Sequence, residues 1–325
     1  MSRLNMVQAI QSALLAEMQL DPSVMVLGED VGREGGVFRA TEGLQEKFGP
    51  ERALDTPLAE SGIAGLALGL ALNGMRPVAE IQFDGFMPPA WDQIISHISR
   101  IRTRSRGRFS APLVIRIPYG GGIHAPEHHS EATEAVLVHT PGIKVVYPST
   151  PYDAKGLLIS AIRDPDPVLY LEPKRIYRAI REEVPEEAYT VPIGEARMVR
   201  EGKDVTVVAW GAMVREAERA AEMAAREGIQ VEILDLRTLS PMDDQAFLTS
   251  VRKTGRAVVV HEAPRTCGLG AEIAARIQEE AILQLQAPVL RVTGFDTVVP
   301  LAKLEHHYIP SPERILRGIK QAVAF

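Results

Sequence analysis

The sequence predicts an α/β fold in which helices cover mostly parallel sheets on both faces. Short runs rich in Val, Ile and Leu alternate with longer helical patterns along the 325-residue chain. The runs lack the polar alternation of a half-exposed strand, which indicates strands that are buried on both faces. Helices between successive strands indicate crossover connections, as parallel sheets require.

The individual elements follow from the same patterns. The apolar runs that predict strands are 24–27, 77–82, 113–117, 143–147, 168–171, 205–209, 231–234, 257–260 and 289–292. The patterns that predict helices are 6–18, 63–72, 154–162, 214–226 and 271–283. Between the two groups of strands, residues 173–192 are charged, bounded by prolines and without an apolar face. We therefore expect a surface linker there, a larger domain at 1–187 and a smaller α/β domain at 188–325.

Composition excludes several classes of protein. The formal net charge of −6 argues against nucleic acid or an anionic membrane as the main partner. The single cysteine, Cys267, cannot form an internal disulfide, which suits a reducing compartment. The N-terminus has no signal-peptide pattern, and no stretch reaches the ~20 apolar residues of a membrane span. A cytoplasmic or matrix location is the expectation.

Glu60 lies at the start of a glycine-rich helix within residues 55–69, DTPLAESGIAGLALG. Ser61 is a plausible N-cap, and an acidic residue in the first turn is favourable to the helix dipole. The glycines at 62, 65 and 69 fall near one stripe of the helix. Each glycine costs a helix ~1 kcal/mol, so the stripe predicts close contact with another helix or subunit.

Two further segments contain candidate site residues. Residues 79–94, AEIQFDGFMPPAWDQI, follow a predicted strand and lead into a helix, where α/β proteins usually bind ligands. Residues 120–131, GGGIHAPEHHSE, are predicted to be a loop by their glycines and Pro126. A zinc site is the weaker interpretation of this histidine cluster, because no second ligand group is evident. Residues 268–273, GLGAEI, lack the third glycine of a dinucleotide loop, which disfavours a nicotinamide-binding enzyme.

The chain resembles the β subunits of thiamin-diphosphate-dependent 2-oxo acid dehydrogenases, which are transketolase-like proteins. The resemblance rests on 28–32 (GEDVG), 36–44 (GVFRATEGL) and residues 55–65, and extends from 5–10 (NMVQAI) to 287–292 (APVLRV). It implies an N-terminal pyrimidine-binding domain with a parallel sheet and a smaller C-terminal α/β domain.

The resemblance also implies roles for individual residues. Glu60 matches the glutamate that binds the aminopyrimidine of thiamin diphosphate and promotes the cofactor's own deprotonation. Phe86 matches the aromatic that stacks on that ring, and Leu58 matches a residue that packs near it. Gln82 and Phe83 are expected close to the substrate end.

The remaining catalytic residue is a histidine: His129 matches the active-site histidine that holds substrate and donates a proton during acyl transfer to lipoamide. Its neighbour His128 has no assigned role, and an exchange of the two is left open.

A motif that is absent points to a partner chain. Thiamin diphosphate enzymes hold the diphosphate through a divalent metal bound by a Gly-Asp-Gly…Asn motif, and this sequence has no Gly-Asp-Gly. No metal ligand is therefore assigned to this chain, and the resemblance implies that Mg²⁺ is held by an α subunit in an α2β2 heterotetramer. A dihydrolipoyl acyltransferase core is the second expected partner, contacted mainly through the C-terminal domain.

The sequence leaves the substrate open. Residues 79–83 and 261–273 are more similar to enzymes of branched-chain amino acid catabolism, which makes branched-chain 2-oxo acids the first expectation. Gly32 and residues 149–157, STPYDAKGL, are equally similar to pyruvate enzymes. The pattern is also compatible with an acetoin-cleaving or split transketolase-like chain, or with a non-catalytic assembly subunit. The presence of both Glu60 and His129 argues against a non-catalytic role.

Overall fold

The computed structural model describes residues 1–325 and divides them into two compact units. The first unit comprises Met1–Tyr119 and Val136–Ile193, and the second comprises Gly120–Ala135 and Gly194–Phe325. The larger first unit thus extends to Ile193, while the short segment 120–135 groups with the C-terminal residues.

The helices and strands have the following bounds. The strands are β1 (Ser2–Leu4), β2 (Val24–Gly28), β3 (Ala53–Asp55), β4 (Arg76–Glu80), β5 (Val114–Tyr119), β6 (Lys144–Val146), β7 (Val168–Pro173), β8 (Glu182–Val184), β9 (Arg197–Arg200), β10 (Val205–Ala209), β11 (Val231–Asp235), β12 (Thr238–Ser240), β13 (Ala257–Val260) and β14 (Leu290–Val292). The helices are α1 (Met6–Leu20), α2 (Leu44–Phe48), α3 (Glu60–Leu72), α4 (Ile101–Arg104), α5 (Glu134–Val138), α6 (Pro151–Arg163), α7 (Ala212–Arg226), α8 (Asp244–Thr254), α9 (Leu269–Ala281), α10 (Glu305–Tyr308) and α11 (Pro312–Val323).

Six strands of the first unit lie side by side in the order β6-β7-β5-β4-β2-β3, and every neighbouring pair is parallel. Every residue of β2, β5 and β7 is buried, which agrees with the uninterrupted apolar runs of the sequence. Helix α1 begins with a reciprocal capping box in which Asn5 and Gln8 each accept the other's backbone N–H at 3.0 Å. Its Glu17 forms an ion pair with Arg163 of α6 at 2.7 Å.

The second unit contains a sheet in the order β14-β13-β10-β11-β9. The neighbouring strands are parallel except for β9, which is antiparallel to β11. Helix α11 is capped by Ser311 and begins with Pro312, and it buries Ile315 and Ile319. The predicted α/β class, with a parallel-sheet N-terminal part and a smaller C-terminal α/β part, is confirmed.

The expectation of a surface linker at 173–192 is wrong. Strand β8 lies within this segment and pairs with β1 in antiparallel register, from Ser2↔Val184 to Leu4↔Glu182. Ile176, Tyr177 and Val191 are at most 3% exposed. The segment is therefore part of the first unit. Its apolar residues are too irregularly spaced to produce a helical or alternating pattern, so charge dominates the sequence signal.

No helix of the chain has both the length and the apolar character needed to cross a membrane.

Candidate active site

The carboxyl edge of the first unit's sheet collects the residues expected to bind the cofactor. Strand β2 ends at Gly28 and is followed directly by Glu29, while β4 ends two residues before Gln82. The neighbouring strand β3 leads into α3, whose first residue is Glu60. Ligands of open parallel sheets bind at this edge, so the topology brings these residues to a plausible ligand site.

Glu60 is the first helical residue of α3, and its N-cap is Ala59. The proposed N-cap at Ser61 is therefore wrong, because the helix begins three residues before Ile63, the first residue of its apolar pattern. Glu60 is only 9% exposed, and no side chain or backbone group of the chain forms a hydrogen bond or ion pair with its carboxylate. Buried carboxylates are normally hydrogen-bonded, so this group is suited to a ligand donor or a shared proton.

Glu29 is a site candidate that the sequence patterns did not reveal. Its backbone carbonyl accepts a hydrogen bond from Gln82 Nε2 at 3.3 Å, which links the ends of β2 and β4. Partial burial raises the pKa of Glu29, and the negative charges of Asp30 and Glu60 raise it further. Two carboxyl groups therefore lie near each other at this edge. The signal that could have found Glu29 is its position directly after a fully buried strand.

Phe83 and Phe86 belong to an aromatic cluster beside this edge. The Phe83 ring meets those of Phe86 and Phe38 edge to face, at centroid distances of 5.6 and 5.5 Å. The ammonium of Lys174, which follows β7, lies 5.2 Å from the Phe83 centroid. Phe83 is 7% exposed, whereas Phe86 is half-buried. Phe86 therefore offers the more accessible ring of the two.

A buried ionic network ties together the three strands beneath the aromatic cluster. Arg116 on β5 donates to both oxygens of Glu172 on β7, at 2.6 and 3.0 Å, and to Glu80 on β4, at 2.8 Å. The Tyr177 hydroxyl also donates to Glu172. Burial alone lowers the pKa of Arg116, but the charges of Glu172 and Glu80 raise it above its ordinary value. The network fixes the ends of the strands that lead to the site.

Leu58 and one face of α3 are exposed in this chain. Leu58 is 69% exposed and Leu66 is 40% exposed. A Cβ added at Gly69 meets no atom within 4 Å, and one at Gly62 meets only Ala59, at 3.6 Å. A Cβ at Gly65 would lie 3.5 Å from the side chain of Gln93, so within this chain only Gly62 and Gly69 are left open to a helix of another chain.

His129 lies in the second unit, on a loop held by two buried carboxylates. The backbone N–H groups of Gly122 and His124 donate to Glu305 at 2.7 and 2.9 Å, and the N–H of Gly121 donates to Glu262 at 2.9 Å. A Cβ at Gly120 would lie 2.5 Å from Glu262 and one at Gly121 would lie 2.9 Å from Glu305. The glycine run is therefore required by the close approach of these carboxylates. Neither anchor was predicted from the sequence.

The structure distinguishes His129 from His128. His129 Nδ1 lies 2.7 Å from the carbonyl oxygen of Glu127. Because a carbonyl only accepts, the neutral ring carries its proton on Nδ1, and Nε2 is the basic nitrogen. The side chain of His128 is 66% exposed, and its nearest charged partner, Glu131, is 3.9 Å away. Of these two histidines, only His129 has its ring orientation and tautomer fixed by a backbone carbonyl of the same loop.

Metal ligation by this chain has no geometric support. No group of three or more His, Cys, Asp or Glu side chains comes together in a metal-binding arrangement. The histidine loop instead forms hydrogen bonds within the second unit, such as that between His124 Nδ1 and the Ala302 carbonyl at 3.0 Å.

Comparisons with known proteins identify relatives of the chain. A model of the transketolase pyrimidine-binding domain matches residues 2–179, and one of the transketolase C-terminal domain matches residues 194–315. Pyruvate dehydrogenase E1 component subunit beta of Acholeplasma laidlawii is 54% identical over 321 residues, which are 99% of this chain and 98% of that protein. The protein of the same name from Bacillus subtilis (strain 168) is 52% identical over 325 residues, the whole of both chains.

A solved structure, described as a split gene transketolase in an inactive beta4 tetramer, has a TM-score of 0.80. The two sequences are 24% identical and the match covers 99% of each chain, so this likeness supports the fold. The full-length relatives and both domain matches identify the family. The chain belongs to the transketolase family and, within it, to the β subunits of thiamin-diphosphate-dependent 2-oxo acid dehydrogenases.

Proposed function

We propose that the chain is the β subunit of a pyruvate dehydrogenase first component and is active only with an α subunit. The observation that carries the proposal is the buried, unpartnered Glu60 at the sheet's carboxyl edge, in a chain 52% identical over its whole length to a pyruvate dehydrogenase subunit. The sequence patterns favoured branched-chain 2-oxo acids first. The Acholeplasma and Bacillus relatives are both pyruvate dehydrogenase subunits, which supports pyruvate over branched-chain substrates.

Glu60 is the proposed catalytic residue of the first unit. Thiamin diphosphate, when bound, supplies the electron sink that allows a 2-oxo acid to lose carbon dioxide. Glu60 shares a proton with the ring nitrogen of the cofactor's aminopyrimidine, an interaction that its solvent-poor and unpartnered carboxylate fits. The neighbouring Glu29, whose pKa is raised by burial and by adjacent negative charge, helps to retain a proton at this edge.

Three residues of the first unit are proposed to position the cofactor ring. Phe86 stacks against the aminopyrimidine through its accessible face, while Phe83 supports Phe86 edge to face and Lys174 lies over the ring of Phe83. Gln82 is fixed by its hydrogen bond to the Glu29 carbonyl and lies beside the ring. Leu58, which is largely exposed in the single chain, packs near the same ring in the assembled enzyme.

His129 is proposed to act on the substrate and then during acyl transfer to lipoamide. Its Nε2 is the basic nitrogen, because Nδ1 donates to Glu127. A neutral imidazole held in this tautomer accepts a proton at Nε2 and later donates it to a lipoyl sulfur. Phe83 of the first unit is also proposed to lie close to the substrate.

The proposed α subunit supplies what this chain lacks. A diphosphate must be paired with a metal or with cationic donors, and this chain has neither the Gly-Asp-Gly motif nor a cluster of metal ligands. The open positions at Gly62 and Gly69 of α3 provide a surface on which a partner helix can pack closely. The dihydrolipoyl acyltransferase core is the further proposed partner, bound through the C-terminal unit.

The proposal is tested by producing the chain together with an α subunit that carries Gly-Asp-Gly…Asn. Decarboxylation of pyruvate is compared with that of a branched-chain 2-oxo acid. We expect kcat/KM to favour pyruvate by about tenfold or more, since pockets discriminate by ~1–3 kcal/mol per methylene. The reverse order would support branched-chain substrates.

Glu60→Gln should abolish decarboxylation, whereas the control Glu51→Gln, at an exposed site of the same unit, should not. Nearly normal turnover of Glu60→Gln would favour a non-catalytic assembly subunit.

A further inference from the structure

A cationic pocket lies beside the β13–β14 edge of the second unit, outside the residues of the candidate active site. Its volume is about 410 Å³, within the range of small-ligand sites. The walls include four guanidinium groups and one carboxylate, which leaves a net charge of +3, together with one exposed aromatic ring. These groups belong to Arg265, Arg291, Arg314, Arg317, Asp296 and Phe295. We call this the arginine pocket.

The position of the arginine pocket is typical of a ligand site. Strands β13 and β14 are parallel, and Val260 pairs with Val292 at their carboxyl ends. Residues that line the pocket follow both strands, Arg265 after β13 and Thr293 after β14, while α11 contributes Arg314 and Arg317. Open α/β sheets bind ligands beyond the carboxyl ends of their strands.

The backbone holds three of the guanidinium groups in place. Arg265 donates to the carbonyl of Arg291 at 2.9 Å, and Arg291 donates to the carbonyl of Arg265 at 3.0 Å. Arg314 donates to the carbonyls of Tyr308 and Thr293, at 2.8 and 2.5 Å. Each guanidinium has five N–H donors, so most of them stay available after these bonds.

The positive charge of the arginine pocket is only partly balanced within the chain, where the carboxylate of Asp296 raises the pKa of Arg291. None of the four arginines forms an ion pair with a carboxylate. Asp296 accepts hydrogen bonds from the N–H and hydroxyl of Thr266 at 2.7 and 2.8 Å. Burial lowers the pKa of Arg291 and of Arg314, and the charges of Arg265 and Arg317 lower them further. The chain as a whole has a formal net charge of −6. The pocket is therefore a positively charged site on a negatively charged protein.

We propose that the arginine pocket binds a small molecule that carries a diphosphate group. Guanidinium forks from three separate elements converge here, and tetrahedral phosphate oxygens accept from several directions, whereas a planar carboxylate pairs with one fork at a time. A diphosphate also has the multiple negative charge that a net +3 site requires. The half-exposed ring of Phe295 adds an apolar wall for the rest of such a ligand.

The test is calorimetric titration of the full chain with inorganic diphosphate, in magnesium-free buffer at low ionic strength. We expect binding that weakens as salt is added, because exposed guanidinium–phosphate pairs are screened. Arg317→Gln should weaken binding by about tenfold or more, since each charge-assisted hydrogen bond contributes that much. Arg317 forms no hydrogen bond in the chain, so its replacement should not disturb folding. Arg317→Lys should give an intermediate affinity, because it keeps the charge and loses the fork.

Arg226→Gln is the matched control, since Arg226 is an exposed arginine of the same unit that does not line the arginine pocket. It should bind diphosphate as tightly as the unmodified chain. Absence of binding at millimolar diphosphate would overturn the proposal. Equal weakening by Arg317→Gln and Arg226→Gln would also overturn it, because binding would then follow the overall charge of the chain.

Discussion

Glu305 Oε1 accepts a hydrogen bond from the hydroxyl of Ser130, 3.0 Å away, although the two residues are 175 positions apart. The same carboxylate accepts from the backbone N–H groups of Gly122 and His124. Glu305 is 1% exposed and Ser130 is 8% exposed. A single buried carboxylate therefore fixes three points of the loop that carries His129.

Replacing Glu305 with alanine should release this loop. Three donors lose their acceptor, and each buried donor left unpaired costs about 1–3 kcal/mol. We expect the free energy of unfolding to fall by about 3 kcal/mol or more in urea denaturation. The rate of acyl transfer by the assembled enzyme should fall further than pyruvate affinity, since His129 would lose its position. Glu279→Ala, on the exposed face of α9, should change neither quantity. An unchanged acyl-transfer rate in a folded Glu305→Ala enzyme would contradict this positioning role.

Histidine replacements should separate His129 from His128. His129→Ala should lower acyl transfer to a lipoyl acceptor by ~10²-fold or more, as expected for loss of a general acid–base group. His128→Ala should stay within about threefold of the unmodified enzyme, because surface groups without fixed partners contribute little. Steady-state rates with a lipoyl acceptor measure both effects. The opposite order would transfer the proposed role to His128.

Arg116 should be one of the most sensitive positions in the first unit. Its removal leaves the buried carboxylates of Glu80 and Glu172 close together without a cation, and breaking such a network costs about 3–5 kcal/mol. We expect Arg116→Met to lower the free energy of unfolding by about that amount. Arg102→Ala breaks a 2.6 Å ion pair with Asp166 that is partly exposed, so it should cost less than about 1 kcal/mol. Similar decreases in the free energy of unfolding for the two variants would contradict a larger contribution of the buried network to stability.

His261 should make the stability of the chain depend on pH. It is 0% exposed, its ring stacks on Trp210 at 5.4 Å, and neither ring nitrogen has a hydrogen-bond partner. Burial lowers the pKa of His261 from 6.5 to about 4, with help from the charge of Arg291. Below pH 6.5 the unfolded chain takes up a proton that the folded chain does not. The free energy of unfolding therefore decreases as the pH is lowered from about 6.5 to about 4.

Between about pH 6.5 and about pH 5 this effect should remove about 1.5 kcal/mol from the free energy of unfolding. His261→Leu should lose correspondingly less over the same interval, whatever its stability at neutral pH. His306→Gln, at an exposed histidine, should keep the dependence of the unmodified chain. Urea denaturation at several pH values measures all three, and parallel curves for His261→Leu and the unmodified chain would contradict the assignment.

The central strands and most long helices could be predicted from the sequence because burial on both faces produces uninterrupted apolar runs. Strands β1, β3, β8, β9 and β12 could not, since each has three or four residues and only partial burial. Helices α8 and α11 were also missed. Their apolar residues are sparse, and their N-caps, Asp243 and Ser311, are recognisable only once the helix is known.

The residues of the candidate site that lie in recognisable motifs could be predicted from the sequence. Glu60, Phe86 and His129 are predicted site residues because each lies in a short segment with a recognisable family pattern. Glu262 and Glu305 were not, since their contacts with the loop join residues 141 and 175 positions apart. A glycine run indicates close approach of something to the backbone, and only the structure identifies these carboxylates as the neighbours.

The proposed split site requires that this chain hold only the pyrimidine end of the cofactor. Equilibrium dialysis of thiamin diphosphate with Mg²⁺ against the chain alone, and against the chain with its α subunit, tests this most directly. We expect no magnesium-dependent binding by the chain alone and one magnesium-dependent cofactor per αβ pair in the mixture, weakened strongly by Glu60→Gln but not by Glu51→Gln. Tight magnesium-dependent binding of thiamin diphosphate by the chain alone would contradict the split site.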